Sequence, residues 1–231
     1  MRVRATAIVP VKRFGAAKQR LLEALDRPQR AVLVRAMLAD VLSAATAAEG
    51  VERVIVVTGE GRAERIALRL ARRVATPIEV LREPRDAGHS VAATLGIVRA
   101  KALGARCTAL LPGDCPLLEP AELDAALGRM RPNRVAVVPD RHGTGTNALL
   151  LSPPDAIAPA FGPGSRDRHA ERARGAGHEV AIEPVPSLAL DLDTPDDLAA
   201  LAATIQRDPG RAAGTAGALA RLGRLEGAAS G

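Results

Sequence analysis

The feature that most constrains this chain is a set of short apolar runs that do not alternate with polar residues. Ala5–Val11 is such a run, closed by Pro10; Arg53–Val57 reads R-V-I-V-V; Arg106–Leu111 ends in Ala109 to Leu111; Arg134–Val138 reads R-V-A-V-V. A strand with one wet face would alternate, whereas strands this apolar are buried on both faces, as in a parallel sheet covered by helices. Between the runs, apolar residues recur at helical spacing. Leu33, Met37, Val41 and Ala44 form one stripe, Ile66, Leu70 and Val74 a second, and Val91, Leu95 and Val98 the expected inner face of a third helix. Strand and helix in alternation predict an α/β fold with a doubly wound, mostly parallel sheet.

The remaining elements follow from turn and cap signals. Asp26 with Pro28 opens the first helix, Ile78–Leu81 is a short strand, and a helix runs from about Pro120 to Met130. The connection D-R-H-G-T-G-T into Asn147–Leu151 is too short for a parallel crossover, so that strand pair is expected to be antiparallel and the sheet mixed. Ser165 reads as the N-cap of a helix ending near Gly175, Glu179–Glu183 as an edge strand and Leu188–Asp193 as the last strand. Thr194-Pro195-Asp196-Asp197 then starts a long helix with a cap, a first-turn proline and two acids. With 231 residues the chain is most simply one domain over residues 1–206; residues 207–231 are Gly-, Ala- and Arg-rich and are expected as a poorly ordered tail or a marginal helix.

Composition narrows the function classes. Trp and Tyr are absent and there are two Phe, so Ala, Val, Leu and Ile must build the core. The same lack of aromatics disfavours a nucleic-acid-binding protein, which needs rings for base stacking. No apolar run reaches the ~18 residues of a membrane span, and the N-terminus lacks a signal peptide's apolar segment, so a cytoplasmic protein is expected. Cys107 and Cys115 match no zinc spacing and are expected to be reduced. A net charge of +6, almost wholly from Arg, suits an anionic substrate or nucleic acid. The Arg62, Arg65, Arg69 and Arg72 stripe reads as a solvated helix face.

Ligands of doubly wound sheets bind outside the carboxyl ends of the strands. In A-L-L-P-G-D-C-P-L-L, Asp114 is the first charge after a strand ends. Asp191 and Asp193 stand in a matching place later; on a strand they would point the same way, with Cα atoms ~6.5 Å apart. Like charges at that range repel unless a cation joins them, and Mg²⁺ with oxygen ligands fits. The alternative is that the pair only favours the following helix start. The loop Lys12–Arg20 after the first strand carries four cations in nine residues, among them Lys12 and Lys18, two of the three lysines, and is placed to hold phosphates. It matches neither a P-loop nor a dinucleotide fingerprint. In G-T-G-T-N, Gly143 and Gly145 permit close backbone approach while Thr144 and Thr146 offer hydroxyls. In F-G-P-G-S, Gly162, Gly164 and Ser165 put N–H groups at a helix start, an anion site. His89, His142, His169 and His178 have no metal spacing and receive no catalytic part.

V-P-V-K-R-F-G-A-A-K-Q-R-L, L-P-G-D-C-P-L-L, D-R-H-G-T-G-T-N-A-L-L-L, F-G-P-G-S-R-D-R-H and L-A-L-D-L-D-T-P-D-D-L together resemble the guanylyltransferases of coenzyme F420 biosynthesis, called CofC in archaea and FbiD in actinobacteria. The resemblance runs from about Ala5 to Ala203. It implies a nucleotidyltransferase fold of the GT-A type, like that of the MobA-like molybdenum-cofactor guanylyltransferases. It also implies transfer of GMP from GTP to the phosphate of a three-carbon acid (2-phospholactate, phosphoenolpyruvate or 3-phosphoglycerate) with release of diphosphate. Asp114, Asp191 and Asp193 match the family's metal-binding acids, and Thr146, Gly162 and Ser165 the positions that hold the phosphorylated acid. Many members read Gly-Leu-Asn where this chain reads Gly88-His89-Ser90, so Gly88 and Ser90 fall beside the nucleotide and the choice of base is open. Lys12 and Lys18 would hold the triphosphate and, with Asp114, assist the chemistry. Implied partners are GTP, the acid and the next transferase of the pathway, which would receive the product. No nucleic acid or membrane is implied, and a homodimer is compatible with the sequence. Another nucleotidyltransferase of this fold, acting on a molybdopterin or sugar phosphate, is the alternative within enzymes.

Overall fold

A computed structural model describes residues 4–12, 14, 21, 24–83 and 88–225. Lys18 and most of the basic loop, residues 84–87 and the last six residues lie outside the described set. Seven strands alternate with helices: β1 Ala5–Val11, α1 Arg27–Ala47, β2 Val51–Thr58, α2 Gly61–Ala71, β3 Ile78–Arg82, α3 His89–Ala102, β4 Thr108–Leu110, α4 Pro120–Gly128, β5 Arg134–Pro139, β6 Thr146–Ser152, α5 Ser165–Gly175, β7 Glu179–Ile182, α6 Pro195–Arg207 and α7 Ala213–Arg221. They form one sheet in the order β3-β2-β1-β4-β6-β5-β7. β1–β2, β2–β3, β1–β4 and β5–β7 pair in parallel, and β6 runs antiparallel to both β4 and β5. The antiparallel pair anticipated across D-R-H-G-T-G-T is β5–β6, and the edge strand is β7.

The winding reverses between β1 and β4, because β2 and β3 are added on one side of β1 and β4 on the other. A proline deepens that crevice. The β1–β4 ladder ends where the Leu111 N–H donates to Ile8 O. Pro10, next in line on β1, has no N–H to continue it, and Pro112 has none to continue the β4–β6 ladder on the other edge of β4. β1 goes on along β2 alone as far as Val11.

Each face of the sheet is covered. Ala5, Ala7, Val9 and Val11 of β1 pack in the larger core with α1, α2, α4, α6 and α7, while Ile8 faces the smaller core with α3 and Ala173 of α5. On α1, Leu33, Met37 and Val41 are buried as expected and Ala44 is partly buried. α3 departs from the expectation. Val91, Leu95 and Val98 are 46%, 37% and 60% exposed, and the buried face is Ala92, Ala93, Gly96, Ile97 and Ala100. At its closest approach to the central strands the helix has room for no side chain at all, and small residues flank that point: a Cβ at Gly96 would stand 2.3 Å from Ile8 Cγ2 and 3.2 Å from Val57 Cγ2. Side-chain bulk at helical spacing therefore pointed to the wrong face.

One further expectation is corrected, and the tail takes the helical form of its two alternatives. Leu188–Asp193 is no strand; Pro186–Leu188 is one 3₁₀ turn and the chain beyond it is irregular up to α6. Its carbonyls are taken by other groups: Asn147 Nδ2 donates to Leu188 O (2.7 Å) and Ala189 O (3.2 Å), and the Arg141 N–H to Ala189 O. The segment does not need a strand partner to satisfy its backbone. In the tail, Ala213–Arg221 is a helix docked on α1, with Ala218 and Leu219 fully buried. The Asp40 carboxylate of α1 holds its start, accepting from the N–H of Gly214 (3.0 Å) and Thr215 (2.7 Å) and from Thr215 Oγ1 (2.6 Å). A carboxylate at a helix N-terminus is favourable, which offsets this helix's weak composition.

Gly96→Val should lower stability by roughly 2–3 kcal/mol, since overpacking against a central strand outweighs the small gain in helix propensity. Val98→Ser on the outer face should stay within about 0.5 kcal/mol. Urea denaturation of both variants checks the reversed orientation of α3; equal losses would refute it.

Candidate active site

At the carboxyl edge of the switch crevice, Lys12 leaves β1 and Gly113-Asp114 leave β4. Thr58 Oγ1 donates to Val11 O (2.9 Å), fixing the chain just before Lys12, which is exposed. The Phe14 N–H donates to Glu60 Oε2 (3.3 Å), and Phe14 is buried, so the described part of the basic loop is held at both sides of Arg13. Asp114 is half-buried, as is Asp191, and Asp193 is exposed, with Leu192 between them in the core. The in-and-out alternation expected of Asp191-Leu192-Asp193 is thus kept without a strand.

Two ties bring the acid-bearing loops together. Cys115 Sγ, next to Asp114, lies 3.6 Å from Leu188 O, and Asn147 Nδ2 lies 3.3 Å from Asp191 Oδ1. Asn147 is at the start of β6, which the antiparallel pairing carries past the end of β4. Sequence reasoning quoted Asn147 without giving it a part; its place directly after Thr146 on a strand bound for the site was the available signal. Among the described residues, no three His, Cys, Asp or Glu side chains form a metal-holding group by themselves. Hard carboxylate oxygens at one edge still suit Mg²⁺, which commonly takes one or two carboxylates and completes its shell with substrate phosphates and water.

On the other side of β4, Asp140 organises the glycine loop. Its carboxylate accepts from the N–H of Thr144 and Gly145, each at 3.0 Å. A Cβ at Gly145 would meet Asp140 Oδ2 at 2.5 Å, so the close approach requires glycine there. Arg141 pairs with Asp197 at 2.5 Å, tying this loop to the start of α6. Burial alone would raise the Asp197 carboxyl. Hydrogen bonds from the Thr194 hydroxyl and from the Asp193 and Thr194 N–H groups, with Arg141 beside it, hold it below the ordinary value.

The start of α5 differs from its expected form. Gly164, left-handed at φ 66°, is the cap, and Ser165 is the first helical residue. The Ser165 N–H donates to Gly162 O (3.0 Å) and the Arg166 N–H to Thr144 O (3.2 Å), so these two N–H groups are already engaged. What this start offers is the Ser165 hydroxyl, buried and without a hydrogen-bond partner among the described residues. Gly162 is exposed with φ 120°, a conformation reserved for glycine. Gly88 (φ 103°) caps α3, and Ser90 Oγ accepts from the Phe161 N–H at 3.1 Å, joining the start of α3 to the F-G-P-G-S loop.

His169, given no part from sequence, lies at this junction. It is fully buried, one turn after Ser165 on α5, and contacts Thr146 Oγ1 through Nδ1 (3.0 Å) and the Ala160 N–H through Nε2 (2.8 Å). Its ring also meets Phe161 edge-on at 5.2 Å. The i, i+4 spacing of Ser165 and His169, two polar residues on one helix face, was the missed signal. Burial, then the charges of Arg168 and Arg172, push the imidazole pKa from 6.5 down to about 4.

The family model described as guanylyl transferase CofC like matches residues 5–205. This chain belongs to that family. A phosphoenolpyruvate guanylyltransferase of Conexibacter woesei is 46% identical over 94% of this chain and 95% of its own length. A 3-phospho-D-glycerate guanylyltransferase of Phenylobacterium zucineum is 38% identical, covering 84% and 87%. Among solved structures, a nucleotidyl transferase from Methanothermobacter superposes with TM-score 0.62 over 88% of this chain and 98% of its own, at 19% identity. CMP:2-keto-3-deoxy-manno-octonic acid synthetase does so with TM-score 0.56 over 89% and 99%, at 14% identity. These two likenesses establish a nucleotidyltransferase fold. No described helix is long and apolar enough to cross a membrane.

The lowered His169 pKa has a consequence for stability. Between pH 6.5 and 4 the unfolded chain takes up a proton that the folded chain excludes, so the contribution is complete above pH 6.5 and is lost as pH falls towards 4. The loss should reach roughly 3 kcal/mol. The Asp197 carboxyl, ordinarily at 3.8, releases its own contribution only below that window. Urea denaturation at pH 7 and 4.5 should show a steeper fall for the parent than for His169→Gln; parallel falls would contradict the assignment.

Proposed function

We propose that this chain transfers GMP from GTP to the phosphate of phosphoenolpyruvate, or of a closely similar phosphorylated three-carbon acid, in coenzyme F420 biosynthesis. The observation that carries the reading is family membership along nearly the whole chain, with relatives described as phosphoenolpyruvate guanylyltransferases among those it resembles. The F-G-P-G-S and G-T-G-T-N loops facing the Asp114 loop across one sheet edge support it.

A phosphate oxygen of the acid attacks the α-phosphorus of GTP, the new P–O bond forms, and the bond to the β-phosphate oxygen breaks to release diphosphate. The nucleophile is already an anion, so no general base is required. Lys12 at the end of β1, with Lys18, would bind the triphosphate and balance charge on the departing diphosphate. Gly88 and Ser90 would border the nucleotide, and Thr146, Gly162 and Ser165 would hold the acid. Of Asp114, Asp191 and Asp193, one or two at a time, completed by substrate phosphate and water, would hold Mg²⁺, which when bound would neutralise charge developing on the phosphates. The rest is positioning of two substrates in line. The reaction would be cytoplasmic, with the product passing to the next transferase of the pathway.

The test is an assay with GTP, Mg²⁺ and each of phosphoenolpyruvate, 2-phospholactate and 3-phosphoglycerate, reading diphosphate and product mass. A guanosine-diphosphate-linked acid is expected, most rapidly from phosphoenolpyruvate; no product from any of the three refutes the reading. ATP belongs beside GTP, because Ser90 is already engaged by Phe161 and equal rates would remove the guanine preference. Separately, Asp114→Asn, Asp191→Asn and Asp193→Asn should each lose about 10²-fold or more in kcat/KM while staying folded. Near-normal turnover in the Asp191→Asn, Asp193→Asn double variant would reduce that pair to a helix-start decoration.

A further inference from the structure

We propose that His169 is a positioning residue for the acceptor: by donating from Nδ1–H to Thr146 Oγ1, it leaves the Thr146 hydroxyl proton to point at an anionic oxygen of the acid. This rests on the reading of Thr146 as a ligand of the acid's phosphate and goes beyond it by assigning the residue that sets the hydroxyl's direction.

The argument starts at the other ring nitrogen. A backbone N–H can only donate, so the Ala160 N–H at 2.8 Å fixes Nε2 as an acceptor without a proton. A neutral imidazole carries one proton, which must then sit on Nδ1. Nδ1 is 3.0 Å from Thr146 Oγ1, so the hydroxyl is the acceptor in that contact. A hydroxyl has one proton and two lone pairs; with a lone pair committed to His169, its proton is left to donate. Among the described residues no carbonyl or carboxylate takes it. Were the tautomer reversed, Thr146 would spend its proton on Nδ1 and turn a lone pair towards the phosphate, an arrangement that repels an anion.

The ring is locked in this state from several sides. It is fully buried, Phe161 meets it edge-on, and protonation would put a hydrogen on Nε2 against the Ala160 N–H. The guanidinium groups of Arg168 and Arg172, both turned to backbone carbonyls of the 158–163 segment, lower its proton affinity further. The Ala160 bond also anchors the segment that leads into Gly162 and Ser165. One buried ring therefore joins both loops of the acceptor side.

Asparagine and glutamine separate the two bonds, because the Asn amide reaches the place of Nδ1 and the Gln amide that of Nε2. His169→Asn can still donate to Thr146, while His169→Gln can still accept from Ala160 N–H. Steady-state kinetics should show His169→Gln raising KM for the acid about tenfold, with KM for GTP within twofold of the parent, and His169→Asn, which loses only the Ala160 anchor, raising KM for the acid distinctly less, with KM for GTP likewise within twofold. In a Thr146→Val background, His169→Gln should add nothing further to KM for the acid. Thermal unfolding confirms that each variant is folded before its constants are compared. A merely structural histidine predicts the reverse: both variants disturb both substrates alike, whatever stands at position 146. If Thr146→Val raises KM for the acid and His169→Gln does not, the positioning role is overturned and the Thr146 reading stands. If Thr146→Val leaves KM for the acid unchanged, the Thr146 reading fails and takes the inference with it.

Discussion

The parting of β1 from β4 is the constraint on which the rest of this structure depends. Two parallel strands in mid-sheet would ordinarily stay bonded, because each unpaired backbone group left in the interior is costly. Here the ladder stops at Ile8 O, and the next residue of β1 that would donate across it is Pro10, which has no donor to leave unpaired. Val11 O, just past the break, is taken by the Thr58 hydroxyl. The crevice therefore opens at little cost. Lys12 stands on one lip and Asp114 on the other, opposite charges suited to a phosphate chain and its counter-ion.

The second lip depends on β6. By running antiparallel, β6 brings its first residues, Thr146 and Asn147, to the edge where β1 and β4 deliver their last ones. Asn147 then secures the 188–191 segment and touches Asp191, while Thr146 reaches across to α5. The same reversal of one strand thus joins the acid-bearing loops to the helix that carries Ser165. Asp140, by binding two N–H groups of the glycine loop, keeps the turn into β6 tight enough for this to work.

Much of this was legible in the sequence, and the misses share a cause. Unalternated apolar runs fixed the buried sheet, and the length of D-R-H-G-T-G-T fixed its antiparallel pair, because both follow from local geometry. α3 was read backwards because apolar bulk marks a core face only when the helix stands off the sheet; Gly96 over Ile8 shows that it does not. Leu188–Asp193 was read as a strand because its pattern alternates, and the groups that replace strand pairing, Asn147 and Arg141, lie 41 or more residues away. Asp40, which holds α7, is 174 residues from Gly214. His169 has no metal spacing to mark it in the sequence, whereas its proposed part is to receive one N–H and direct one hydroxyl. Each miss concerns a contact between segments distant in sequence.

Among the described residues, the proposed acceptor side keeps its nearby cations engaged elsewhere. α5 carries Arg166, Arg168 and Arg172 in its first turns, yet Arg168 and Arg172 are spent on the carbonyls of Ala158, Ala160 and Pro163, and Arg166 on Asp167. Among the described residues of that side, Thr146, Ser165 and glycine backbone remain, with the imidazole behind them held neutral by burial and by those same arginines. For the proposed reaction that division has a physical reason. The acid's phosphate is the nucleophile, and a guanidinium paired tightly with it would draw off the electron density needed for attack. Neutral hydroxyl donors orient the dianion with weaker polarisation, at about 1.5–3 kcal/mol for each bond to a charged group. Positive charge is needed instead on the GTP side, where diphosphate would depart, and the proposed reading gives that place to Lys12. The arginines of α5 would then serve the site at one remove, by holding the loop and the tautomer rather than the substrate.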